Sequence, residues 1–158
     1  MAESVFERVE ELLRRHGVSF EVLRHEPVYT SQQAADVRGT SLASGAKALV
    51  CKGDDRFVLF VLPADLKLDS KAVRRARGWK KLRFADGPEV LQRTALEPGA
   101  IPPFGSLFGL ATLCDTRLGD NERINFNAGD HRVSISMSYA DYIRAESPEL
   151  GDFGREGG

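Results

Sequence analysis

A chain of 158 residues has the length of one domain with a real core, and 42% apolar with 28% charged residues excludes a disordered or fibrous polymer. No apolar run approaches the roughly 18 residues that a membrane helix needs, and a formal net charge of −1 provides no global field to gather nucleic acid. Two cysteines, Cys51 and Cys114, and three histidines, His16, His25 and His131, show no metal-ligand spacing, so we expect a reduced cytoplasmic protein with no metal and no cofactor.

Ser4-Val5-Phe6-Glu7 is a capping-box pattern, and Val5, Phe6, Val9, Leu12 and Leu13 recur at helical spacing up to His16 and Gly17. Val18 to Leu23 reads as a strand that His25-Glu26-Pro27 breaks. Thr30-Ser31-Gln32-Gln33 caps a short helix, Ser31 to Val37. Tyr29 and Thr30 therefore stand at a helix N-terminus, either as a plain cap or as a ligand edge.

Gly45 to Lys52 and Phe57 to Leu62 form a hairpin around Gly53-Asp54-Asp55. Alternation puts Lys47 on one face with Leu49 and Cys51. A half-buried ammonium there needs a partner or a task, unless it snorkels to water. Asp69 caps a helix over Ser70 to Arg77, in which Lys71, Arg74, Arg75 and Arg77 make a basic block. That block is either a solvated face or a phosphate-facing one.

A strand over Lys81 to Phe84 and a helix opening at Pro88 follow. Next comes Gly99-Ala100-Ile101-Pro102-Pro103-Phe104-Gly105, where two prolines and two flanking glycines predict a stiff, solvent-facing loop with exposed main chain. Leu110 to Cys114 is a strand ending at Asp115, and Arg123 to Phe126 is another, ending at Asn127-Ala128-Gly129. Val133 to Met137 alternates with Ser134 and Ser136 on one face, and a last helix runs to about Ala145. Residues 1–150 are read as one domain, and 151–158, rich in glycine and charge, as a flexible tail. Without regular βαβ alternation, the fold class is α+β, with a mixed, largely antiparallel curved sheet or partial barrel and helices packed outside.

No nucleophile elbow, P-loop, dinucleotide fingerprint or zinc-protease motif is present. Cys51 reads as an inert core thiol, and His131 beside Asp130 is a weak base-and-orienter pair. What remains is one unusual lysine, two glycine-bearing bends and some hydroxyls. Such a set suits binding a reactive ester and directing water at it.

In order along the chain, His25-Glu26-Pro27-Val28-Tyr29-Thr30, Lys47-Ala48-Leu49-Val50, Pro63 to Asp69, Gly99 to Gly105, Asp115 and Asn127-Ala128-Gly129 resemble the YbaK/prolyl-tRNA synthetase-associated (INS-like) editing domains over nearly the full length. The resemblance implies a freestanding aminoacyl-tRNA deacylase that hydrolyses, in trans, the ester of a mischarged tRNA carrying a small amino acid, with no metal or organic cofactor. It puts the family's strand lysine on Lys47 and its G-x-x-x-P loop on Gly99 and Pro103. Substrate contacts are expected at Tyr29, Thr30, Ala100, Ile101, Pro102, Phe104, Gly105, Asp115, Asn127, Gly129 and Ser136, and tRNA contacts at Lys71, Arg74, Arg75 and Arg77. The expected partners are mischarged tRNA and an aminoacyl-tRNA synthetase, not a membrane. The alternative is a module that binds an aminoacyl-adenosine, tRNA or synthetase without chemistry.

Overall fold

A computed structural model describes residues 3–157. In chain order the elements are α1 (Val5–Arg15), β1 (Phe20–Arg24), α2 (Ser31–Arg38), β2 (Ala46–Gly53), β3 (Arg56–Pro63), β4 (Leu66–Leu68), α3 (Ser70–Arg77), β5 (Leu82–Phe84), α4 (Gly87–Thr94), β6 (Ala111–Asp115), β7 (Arg123–Asn127), β8 (Val133–Ser138), α5 (Tyr139–Glu146), β9 (Glu149–Gly151) and β10 (Gly154–Glu156). The caps read from the sequence form. Ser4 and Glu7 close a reciprocal box, Thr30 accepts from the Gln33 amide, and Asp69 accepts from the Ala72 amide.

One sheet has the order β5-β2-β3-β6-β9, a second β1-β8-β7, and β10 pairs β4 separately. The second sheet is antiparallel throughout, whereas β3–β6 and β6–β9 are parallel. The α+β class with a mixed sheet is therefore observed, and the sheets stay separate instead of closing into a barrel.

Alternation along β2, β3 and β6 sends side chains into two cores. Ala46, Ala48, Val50, Leu59, Val61 and Cys114 join the larger one, with Ile124, Phe126, Ile135, Met137 and the apolar faces of α1 and α5. Cys51, Val58, Phe60, Leu62 and Leu113 face the other way, onto Val73 of α3, Leu68 and Phe153. Burial pushes the Cys51 and Cys114 thiols up to about 12, which suits packing and not nucleophilic attack.

The tail departs from expectation. Residues 149–156 form β9 and β10, and Phe153 is buried with its ring 5.5 Å from that of Phe60. The reason is Asp115, which is fully buried and accepts from the amides of Phe153 and Gly154 and from the side chain of Arg117. Composition alone could not reveal a carboxylate waiting for those amides. Gly158 lies outside the described residues.

Candidate active site

A cleft of about 160 Å³ opens where β2 loses its neighbour. The β2–β3 register pairs Lys47 with Leu62, and the Gly45 carbonyl accepts from the Ala64 amide at 2.8 Å. On the opposite edge, the Val50 carbonyl accepts from Ala85, and β5 pairs only with Cys51–Gly53. Hydrogen-bonding direction alternates along an antiparallel strand, so the N–H and C=O of Ala48 point away from β3, into the cleft. This open strand edge offers one fixed donor and one fixed acceptor.

Lys47 lines the same cleft. Its side chain leaves β2 on the Cys51 face, while Ile101 of the Gly99–Gly105 segment inserts into the larger core on the other face. They meet because the cleft wraps the uncovered edge of the strand. Burial lowers the Lys47 pKa from its usual value. The charge of Asp65 works against that shift, and Lys67 adds to it. Among the described residues, no carboxylate lies within ion-pair distance of this ammonium.

The other walls come from α2 and the turn at Gly99. Tyr29, Thr30, Ser31, Ala34 and Arg38 line one side, and Gly99, Ile101 and Asn127 the other. Gly99 sits at φ +90°, where a side chain would strain the backbone. Asn127 donates to the Gly99 carbonyl at 2.7 Å and accepts from Arg38 Nη2 at 2.9 Å. Arg38 Nε donates to Ser134 Oγ, 2.8 Å from His25 Nε2. His25 Nδ1 faces the Glu26 carbonyl, so it carries the proton and Ser134 donates to Nε2. Burial lowers the Arg38 guanidinium to about 10. The cleft thus holds two cations and the N-terminal end of a helix, and among the described residues no aspartate, glutamate or histidine lies on its wall.

Of the expected contacts, Lys47, Tyr29, Thr30, Gly99, Ile101 and Asn127 converge on this cleft. Ala100 and Gly129 line an adjoining recess. The Pro102–Gly105 run does not face solvent as expected. All of its residues are buried, the Pro103 carbonyl accepts from the buried Tyr142 hydroxyl, and Phe104 packs against Phe126 and Tyr142. The Gly105 amide bonds Thr112 Oγ1, and a Cβ there would lie 2.7 Å from the Leu110 carbonyl oxygen. The carbonyls of Gly99, Ala100, Pro102 and Pro103 each accept a hydrogen bond within the protein, so this segment is a braced wall.

Asp115 faces the tail and Ser136 accepts from Arg123 on the outer sheet, so neither reaches the cleft. Lys71, Arg74, Arg75 and Arg77 lie on α3 outside it, with Arg77 paired to Glu149 at 2.7 Å. Sequence reading missed Arg38, a lone arginine in the last turn of α2 with nothing local to mark it. It also missed the open edge at Ala48, which depends on where β5 stops.

A family model described as the aminoacyl-tRNA editing domain matches residues 25–145, a span that contains every residue on the cleft wall. The chain belongs to that family. This editing domain is 37% identical over 154 residues to the multifunctional Ser/Thr-tRNA deacylase ProXp-y of Escherichia coli strain K12, covering 94% of this chain and 92% of that one. It is 40% identical over 110 residues to the uncharacterized protein YwhH of Bacillus subtilis strain 168, covering 69% of each. A solved structure described as a candidate trans-editing enzyme for prolyl-tRNA synthetase superposes with a TM-score of 0.82 at 22% identity, covering 98% of this chain and 99% of that one. That likeness establishes the fold. The resemblance drawn from the ordered motifs between His25 and Gly129 therefore identifies the right family.

Proposed function

We propose that this editing domain acts in trans as a deacylase of mischarged tRNA bearing a small, hydroxyl-carrying amino acid, serine or threonine. The observation that carries the reading is an unpaired lysine ammonium and an uncovered strand edge lining one cleft without a carboxylate. Two cations and the fixed Ala48 N–H favour the oxyanion that forms when water adds to an ester carbonyl. At about 160 Å³ the cleft is smaller than the roughly 300–1,000 Å³ of sites that enclose a drug-sized ligand, so it suits an aminoacyl end with the nucleotide outside.

In this reading Lys47 polarises the ester, Ala48 main-chain groups orient the aminoacyl group, and the Gly99 turn bounds the space for its side chain. Thr30, Ser31 and Arg38 supply polar partners for a substrate hydroxyl. With no imidazole or carboxylate on the wall, the vicinal ribose hydroxyl of the tRNA assists the water. The serine and threonine assignment draws on the E. coli relative.

A panel of tRNAs mischarged with alanine, cysteine, serine and threonine tests this. Multiple-turnover release of serine or threonine is expected. Release capped at one equivalent per protein would leave a binding module instead.

For Lys71, Arg74, Arg75 and Arg77 we propose contact with the acceptor stem. Binding of uncharged tRNA is then expected to fall with a slope of about 0.7–0.9 log units per phosphate contact per tenfold salt, and charge-neutral variants of α3 should flatten it. An identical slope in those variants would return α3 to a solvated face.

A further inference from the structure

Beside the cleft, across the Gly99–Ala100 turn, lies a second recess of about 340 Å³. Its floor is Pro27, Leu96, Ala100 and Gly129, and its aromatic wall is His131 with Tyr29. Tyr29 lines both cavities and is 68% exposed, an unusual state for a large ring. The ring is not loose. Its own amide donates to Gln33 Oε1 at 2.9 Å, and its centroid lies 4.8 Å from that of His131 at 40°. His131 is held in turn: its Nδ1 lies 3.1 Å from the Val28 carbonyl and its Nε2 3.3 Å from Glu97, the ring N–H donating to one of these two acceptors, while the Val28 amide donates to the His131 carbonyl.

We propose that Tyr29, backed by His131, is the stacking platform for the terminal nucleobase of the tRNA 3′ end, with the recess behind it receiving that base. The inference rests on the deacylase reading above and adds a site to it. A nucleotide whose ester occupies the cleft leaves its base within one ribose of the mouth, and Tyr29 stands at that mouth. A base has a π-face whatever its identity, so a rigid exposed ring is the chemistry that holds single-stranded nucleic acid. Two features give the recess a single preferred occupant. It adjoins the cleft across the Gly99–Ala100 turn and shares Tyr29 with it, and its apolar floor has Glu97 at the rim as an acceptor for an exocyclic amine, Asp130 being held by Arg132. His131 is then a support for the ring, not a base.

The test uses an uncharged acceptor-stem RNA hairpin ending in 2-aminopurine, together with kinetics on two esters. Binding to the native protein should quench the fluorophore. Tyr29→Phe should preserve the quench and Tyr29→Leu should abolish it. On mischarged tRNA, Tyr29→Leu should lower kcat/KM about 10- to 100-fold, the range of one lost base–aromatic stack. On an aminoacyl ester of an abasic ribose analogue, which has no base to stack, the loss should be clearly smaller. Equal losses on both esters, or an unchanged quench in Tyr29→Leu, would overturn the platform. If the native protein quenches the probe but releases no amino acid from any tRNA, the deacylase reading fails and the base site stands.

Discussion

Lys47→Met is expected to lower kcat on mischarged tRNA by about 10²–10³, the usual loss when one preorganised electrostatic contact to a developing oxyanion is removed. The same substitution should leave thermal stability unchanged or raise it. An ammonium that burial already pushes toward its neutral form, with no carboxylate in ion-pair distance, is a strain on the fold and not a support. The pH profile carries the same information. Because the Lys47 pKa is lowered, activity that needs the charged form is full below that value and declines as pH rises through it, earlier than for a free lysine. Lys47→Arg should move that alkaline limb upward, since a guanidinium stays charged. A methionine variant with native turnover would remove Lys47 from the mechanism proposed here, and one less stable than the native protein would show that the ammonium supports the fold.

Asp115→Ala should be the most destabilising single change away from the apolar cores, at about 3–5 kcal/mol, because it strands buried partners of a buried charge. For a chain of this size that corresponds to a drop in Tm of roughly 6–20 °C. Burial alone would raise the Asp115 carboxyl, but the Arg117 side chain and the amides of Arg117, Gly154 and Phe153 outweigh it and leave the pKa below the usual value. The sign follows from that depression. The stabilisation is complete above the unfolded-state value of about 3.9 and is lost as pH falls through the lower folded-state value. Hydrogen exchange at Phe153 and Gly154 should accelerate first on acidification and in the alanine variant. Native-like protection of those two amides in Asp115→Ala would show that packing of Phe153 holds the tail without the carboxylate.

The elements with strong local signals were legible in the sequence. The Ser4–Glu7 box, the Thr30 and Asp69 caps and the alternation of Val133 to Met137 each depend on residues within a few positions of one another. So does the hairpin that carries Lys47. What stayed hidden was set at long range. The two prolines of Pro102-Pro103 announced stiffness correctly, yet their burial depends on Tyr142, thirty-nine residues away, reaching the Pro103 carbonyl. Asp115 looked like a candidate ligand because its partners lie thirty-eight and thirty-nine residues downstream. Arg38 carried no local mark, since its role depends on Ser134 and Asn127 of a different sheet. The lysine and the Gly99 bend were matched to one cavity through family resemblance, whereas the open strand edge that lets them meet is a property of topology alone.

The strap formed by β9 and β10 bears on how the molecule is made. Phe153 completes the smaller core, and β9 adds the outermost strand beside β6. During synthesis the ribosome must therefore release residues beyond 153 before that side of the sheet can close. Until then Phe60, Leu62 and Leu113 have only Leu68 and the Val73 face of α3 over them, and part of their apolar surface stays open on the nascent chain. Slowing translation across the codons for β9 and β10 should prolong that exposed interval, and a chaperone that recognises apolar segments would find its target there.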